Sequence, residues 1–248
     1  SEMCIRDRRY GLAMLRASGD DRRADAHLRM KAQQMASDYQ QLFGGLAREF
    51  GVTLVAGSIV LPAPYVEQGV LHAGSGPLFN SSLVFAGDGS LLGQPQRQQF
   101  PDSEVRRFIH DGRQQPLQVL QTPAGRLGVL IGSDSWYPEN HQQLQRQQVQ
   151  LIANPVFLSG KGSWEAPWRG NRHQDAAAEL ALQRGEVSEQ TAWQRLTQAA
   201  GEGVSSMSVF MRGQFWEQGS DGQGFALQAG ELLAGPPSHG ARLLNVWL

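Results

Sequence analysis

Residues 128–139 read GVLIGSDSWYPE, and this stretch constrains the chain more than any other. A short apolar run (Val129, Leu130, Ile131) gives way to two small residues, Gly132 and Ser133, and then to Asp134, Trp136, Pro138 and Glu139. An apolar run of that length fits a buried parallel strand. Small residues and a carboxylate at its end mark where an open α/β sheet presents a binding site. Pro138 suits the first turn of a helix, predicted over about 138–148, and Glu139 near that start favours the helix dipole.

The flanking patterns extend the α/β reading. Leu28, Met35, Tyr39, Leu42, Phe43, Leu46 and Phe50 recur at three- and four-residue spacing and predict a helix over about 24–50, stopped by Gly51. Residues 52–60 (VTLVAGSIV) read as one strand closed by Pro62 and Pro64. Residues 80–86 read as a second strand, followed by the turn Gly87-Asp88-Gly89 and a strand start at 90–93. Segments 117–121 and 126–131 pair around Pro123-Ala124-Gly125, and 151–154 is the next strand. A polar, Ala- and Gln-rich segment at 175–200 predicts a helix broken near Gly185. Strands at 204–211, 224–227 and 241–247 close the chain. No fixed-period repeat and no Ser- or Pro-rich linker divides it, so one domain is expected over residues 11–248.

Composition excludes several functions. A net charge of −1 argues against a general nucleic-acid or membrane-surface binder. No apolar run approaches the roughly 20 residues that span a bilayer, and SEMCIRDRRY lacks the apolar centre of a secretory signal. The opening SEMCIRDR resembles translated sequencing-adapter read-through, and residues 1–10 are expected to be a non-native or disordered tail. The single cysteine, Cys4, excludes an internal disulfide and fits a reducing cytoplasm. The six histidines stand far apart, with no metal-ligand spacing. No phosphate-binding glycine motif and no G-x-S-x-G elbow is present, so neither a metal nor a cofactor is expected.

Four segments in order carry a family resemblance: AREFGVTLVAGSIVLP, NSSLVFAGDGSLLGQPQRQQFPDSE, the GVLIGSDSWYPE stretch, and LIANPVFLSG. Together they resemble the nitrilase, or carbon–nitrogen hydrolase, superfamily, closely over about 47–155 and more loosely in the C-terminal third. The resemblance implies an α/β fold, a four-layer α-β-β-α sandwich, here incomplete at the N-terminus. It also implies hydrolysis of a C–N bond in a small amide or nitrile by a Glu-Lys-Cys set. Such chemistry needs a thiolate to attack carbon, a carboxylate to move protons and a cation to hold developing charge.

On that pattern the nucleophile position is Gly132, which carries no side chain, and the lysine position is Arg97, whose planar fork differs from a compact ammonium. Glu104 is placed as a supporting carboxylate, and the strand carrying the first glutamate has no counterpart here. Ser133, Asp134, Trp136, Glu139, Asn154, Trp164 and Trp168 are the candidate pocket residues. Ser133 on a strand would point to the face opposite position 132 and lacks a neighbouring base. Asp134 reads as a hydrogen-bond anchor. Trp164 and Trp168 read equally as pocket walls and as a cap over the core. Two functions follow: an impaired hydrolase, or a non-catalytic module for small-molecule binding or subunit interaction. The family's dimer forms through the helix after the nucleophile strand. Here that helix reads HQQLQRQQVQ, so a weak homodimer at most is expected.

Overall fold

Helix α1 (Arg22–Phe50) forms where the periodicity places it. The Asp21 carboxylate caps its start, accepting from Ala24 N at 3.0 Å, and Gly51 ends it in the left-handed conformation at φ 62°. Its inward face is not the stripe of large residues, because Leu42 and Phe50 stay 57% and 66% exposed. Alanines 32, 36 and 47 with Tyr39 are buried instead, and their small size brings the helix close to the sheet beneath. The computed structural model describes residues 10–18, 20–102, 106–170, 182–201, 203–215, 218–236 and 240–247. The expected tail at 1–10 lies outside these except for Tyr10, which opens a helical stretch at 10–16.

The chain divides into two units, residues 1–116 and 117–248. The first holds an antiparallel sheet of β1 (Leu54–Val55), β2 (Ile59–Pro62), β5 (Leu78–Phe85) and β6 (Leu91–Arg97), with β5 paired to the other three. The single strand expected at 52–60 is split. Val55 pairs with Val84 and Ile59 with Ser81, so four steps on one side meet three on β5; Ala56 N still bonds Leu83 O at 3.0 Å, and the irregularity falls at Gly57-Ser58. A hairpin of β3 (Tyr65–Glu67) and β4 (Val70–His72) was not foreseen. It turns at Gln68 and Gly69, both at positive φ, which is the geometry of a tight two-residue loop. Along β5, alternate residues face α1: Leu83 and Phe85 join its core, and the Phe85 ring lies 6.2 Å from Tyr39 and 6.4 Å from Phe43.

The second unit holds a six-stranded sheet in the order β14-β13-β10-β9-β8-β7. Its strands are β7 (Val119–Thr122), β8 (Gly125–Val129), β9 (Leu151–Val156), β10 (Ser205–Phe210), β13 (Phe225–Gln228) and β14 (Glu231–Ala234). The pairs β8–β9 and β9–β10 are parallel, and both connections run through helices. The first crossover contains a 3-10 turn, Gly132–Trp136, and α2 (Pro138–Arg146). The second contains α3 (Glu189–Leu196), capped by Ser188, whose hydroxyl accepts from Thr191 N at 3.2 Å. Of the helix expected at 175–200, residues 171–181 lie outside the described set, and Gly185 sits in a turn at φ 84°. Strands β11 (Gly213–Phe215) and β12 (Gln218–Ser220) form a small separate ladder. The closing strand expected at 241–247 is corrected: that segment is irregular, and β14 takes the edge next to β13. Trp247, 86% exposed, has no sheet to pack on. The core here gathers Leu117, Leu130, Leu144, Val149, Ile152 and Val204.

The strands read at 52–60 and 80–86 therefore share one sheet, and those at 126–131 and 151–154 share the other, in an α/β chain. Among the described residues no helix is long and apolar enough to cross a membrane.

Candidate functional site

Strand β8 ends at Val129, although Leu130 N still bonds Ala153 O at 3.0 Å. The backbone then swings to φ +55° at Gly132 and winds into the 3-10 turn. Ser133 consequently sits in a turn and not on the strand, so the expected alternation of faces does not govern where it points. The left-handed start at Gly132 ends the ladder.

Side chains packed around this turn hold it from several directions. Buried Asp134 accepts from Ile131 N through Oδ2 at 3.3 Å, and Asn140 Nδ2 donates to Asp134 O at 2.9 Å. Ser135 Oγ donates to Gly132 O at 3.1 Å and accepts from Asn154 Nδ2 at 2.9 Å, so strand β9 also grips the turn. His141, on α2, places Nε2 2.8 Å from Ser135 O. A carbonyl only accepts, so Nε2 carries the proton and the buried Nδ1 is a bare acceptor without a partner. Burial holds the His141 pKa below its ordinary value, against the opposing pull of the Ser135 carbonyl.

Ser135 has its hydroxyl engaged on both sides, and Ser133 is buried and also engaged. Glu139 is exposed in the first turn of α2, where it complements the helix dipole.

Trp136, Trp164 and Trp168 are all buried and belong to one aromatic train. Trp136 meets Trp193 at 4.5 Å and 62°, and Trp168 at 6.4 Å and 74°. Phe210 joins Trp193 at 5.3 Å and 84° and Trp164 at 4.8 Å and 64°. Every one of these contacts is edge-to-face. The indole N–H groups of Trp136, Trp168 and Trp193 are buried without a hydrogen-bond partner, and neighbouring π faces are what such edges meet. The tryptophans are thus packed on one another and on Phe210 within their own unit. Trp193, Phe210 and His141 were missed in the sequence: Trp193 and Phe210 come from elements remote in the chain that only the fold brings to the turn, and His141, in the helix directly after it, reaches the turn only because α2 folds back onto Ser135 O.

Arg97 closes β6 in the first unit. Its guanidinium lies over the Phe79 ring at 4.0 Å, and its Nε is buried without a partner. Desolvation shifts its pKa downward. Glu104 lies outside the described residues. A cavity of about 230 Å³ in this unit, lined by Leu12, Ala13, Met30, Pro62 and Gly74 among others, contains none of the candidate residues. Among the described residues no group of three His, Cys, Asp or Glu side chains could hold a metal.

Comparison with known proteins places this geometry in a family. The carbon-nitrogen hydrolase domain model matches residues 11–223. The deaminated glutathione amidase of Yersinia enterocolitica is 26% identical over 152 residues, covering 57% of this chain and 50% of that protein. The omega-amidase NIT2 of Xenopus tropicalis is 25% identical over 173 residues, covering 65% of this chain and 59% of that one. The chain thus spans about half the length of these curated relatives. Among solved structures, a carbon-nitrogen hydrolase from Helicobacter pylori G27 superposes with a TM-score of 0.58 at 18% identity, over 82% of this chain and 63% of that one. A mutant amidase from Nesterenkonia sp. AN1, carrying acrylamide on its active-site cysteine, gives 0.57 at 18% identity, over 83% and 72%. The structural likeness carries the fold, and the domain match extends through most of both units: the chain belongs to the carbon-nitrogen hydrolase family.

Proposed function

We propose that this chain is an amidase-type carbon-nitrogen hydrolase domain, directed at small amides or nitriles, whose covalent chemistry is impaired. The observation that carries this reading is Gly132. The turn after β8 is built and anchored, yet the position aligned with the family's nucleophile has no side chain. The neighbouring hydroxyl of Ser135 is held by Gly132 O and Asn154, which leaves it no proton acceptor of the kind a nucleophilic serine needs. Relatives named as amidases support the substrate class.

The second reading, a non-catalytic module for small-molecule binding or subunit interaction, is supported by the same turn: its anchors at Asp134, Asn140 and Asn154 persist without a nucleophile to position. A cytoplasmic setting fits the single unpaired cysteine, Cys4. Any homodimer through α2 should be weak, because Leu144 is fully buried in its own unit and three of the glutamines in and just after the helix are occupied. Gln143 accepts from Leu117 N, Gln145 donates to Ala200 O and Gln147 donates to Leu117 O.

The test is incubation with a panel of small amides and nitriles, followed by intact-protein mass spectrometry and an ammonia assay. No adduct and no release above background are expected. A covalent adduct mapped to Ser133 or Ser135 would overturn the impaired reading in favour of a serine-based enzyme.

A further inference from the structure

The cavity of about 230 Å³ in the first unit shares no residue with the turn at Gly132, and the rim residues Arg16, Gln33 and Ser75 are exposed to solvent. Helix α1 supplies one wall through Arg29, Met30 and Gln33, and the segment after β4 supplies another through Ala73, Gly74 and Ser75. The helical stretch at 10–16 adds Leu12, Ala13 and Arg16, which spacings of three and four place on one side of it. Pro62, at the end of β2, and Ala32 are the buried part of the lining.

These walls are tied together by bonds of their own. Arg29 donates from Nε and Nη2 to the fully buried Asp25 carboxylate and from Nη1 to Gly76 O at 2.9 Å, so one guanidinium pins the segment after β4 to α1. Asp25 Oδ2 also accepts from Ser18 N at 3.0 Å, and Arg22 Nη2 donates to Met14 O at 2.8 Å, which fastens the 10–18 stretch to the same helix. Beside Pro62, Ala63 is held at φ +33°, a left-handed conformation unusual for an L-residue. Gly74 and Gly76 press on it: a Cβ at either would come within 2.8 Å of Ala63. Such strain persists where surrounding contacts impose it, and it collects at ligand clamps. A cavity with walls fixed in this way loses little freedom when it is filled.

The lining divides by chemistry. Leu12, Met30, Pro62 and Ala73 offer hydrocarbon, while Arg16, Gln33 and Ser75 offer donors at the rim. Arg29 is committed to Asp25, so the charge presented at the rim is that of Arg16. We propose that this cavity binds a short-chain aliphatic monocarboxylate. The tail lies among Leu12, Met30, Pro62 and Ala73, and the carboxylate stays at the rim against Arg16, with Gln33 and Ser75 donating to it. The volume falls below the roughly 300 Å³ at which pockets for drug-sized ligands begin, which limits the tail to a few carbons. The site goes beyond the reading given above: adduct formation tests that one, whereas equilibrium binding tests this one.

The experiment is isothermal titration calorimetry of the full chain with hexanoate, acetate and hexylammonium at constant ionic strength. Hexanoate should bind, acetate about tenfold or more weakly for want of a tail, and hexylammonium more weakly than hexanoate because its charge is reversed. Arg16→Gln should weaken hexanoate binding about fivefold, the scale of an exposed charge pair. Ala73→Leu fills the cavity and should weaken it about tenfold. Arg23→Gln makes the same charge change at an exposed arginine outside the lining and should leave binding unaltered. Thermal unfolding of each variant establishes that it folds. If Ala73→Leu does not fold, the contrast between Arg16→Gln and Arg23→Gln decides the matter. Absence of hexanoate binding, equally tight binding of acetate or hexylammonium, equal effects of the two arginine variants, or no effect of a folded Ala73→Leu overturns the proposal.

Discussion

His141 Nε2 donates to the carbonyl of Ser135 at 2.8 Å, and this one bond ties helix α2 back onto the turn that begins at Gly132. The bond needs the neutral tautomer only at Nε2. The opposite nitrogen is buried without a partner, so a second proton there would be stranded in an apolar setting.

Stability should therefore depend on pH through His141. Its folded pKa is depressed below the unfolded value of about 6.5, so below that pH the unfolded chain binds the extra proton more readily. The contribution is fully present above about pH 6.5 and is lost progressively as pH falls toward the lowered folded value, at up to about 1.4 kcal/mol per pH unit. Urea unfolding at pH 8, 7, 6 and 5, in the native chain and in His141→Asn, isolates it as the difference between the two. Parallel pH profiles would remove His141 from the account.

Restoring the missing thiol should not restore turnover. Gly132 adopts φ +55°, a conformation that costs an L-residue about 1–2 kcal/mol, so Gly132→Cys should lower stability by that amount. Ammonia release from small amides should stay near background in Gly132→Cys, and also when Arg97→Lys is added, because the new thiol supplies only one part of a reaction that also needs a positioned carboxylate to move protons. Multiple turnovers by either variant would show that a base is already in place.

The tryptophan train should behave as core. Trp193→Ala is expected to cost about 3–5 kcal/mol, since it removes the ring joining Trp136 to Phe210. Trp193→Phe keeps an aromatic edge and sheds an N–H that makes no hydrogen bond, so it should cost under about 2 kcal/mol. Chemical denaturation reads both. Near-native stability of Trp193→Ala would return these residues to the role of pocket walls.

Light scattering at micromolar concentration should find chiefly monomer. The apolar residues of α2 and the strand approach after it, Leu144 and Val149, are buried within their own unit, and Gln143 and Gln145 of the helix, with Gln147 just after it, bond their own unit's backbone. A dry obligate interface has little left to use there. A dimer persisting at nanomolar concentration would show that another surface carries association.

Helix α1, strands β5 and β9 and the stop at Gly51 were legible in the sequence, because each depends on spacing within a few neighbouring residues and on a cap next to them. The absence of a side chain at position 132 is likewise a property of the sequence alone. Where the strand gives way to the turn is not: the ladder breaks at Gly132 because Asp134, Asn140, His141 and Asn154, from three different elements, satisfy the turn's polar groups. The ring contacts of the tryptophans were not legible either, because Phe210 and Trp193 arrive from later in the chain. The same holds for Arg97, which local sequence reads as a loop cation. Its register opposite Ser81 is set by strand pairing, and shifting that register by one residue would send the guanidinium to the other face of the sheet.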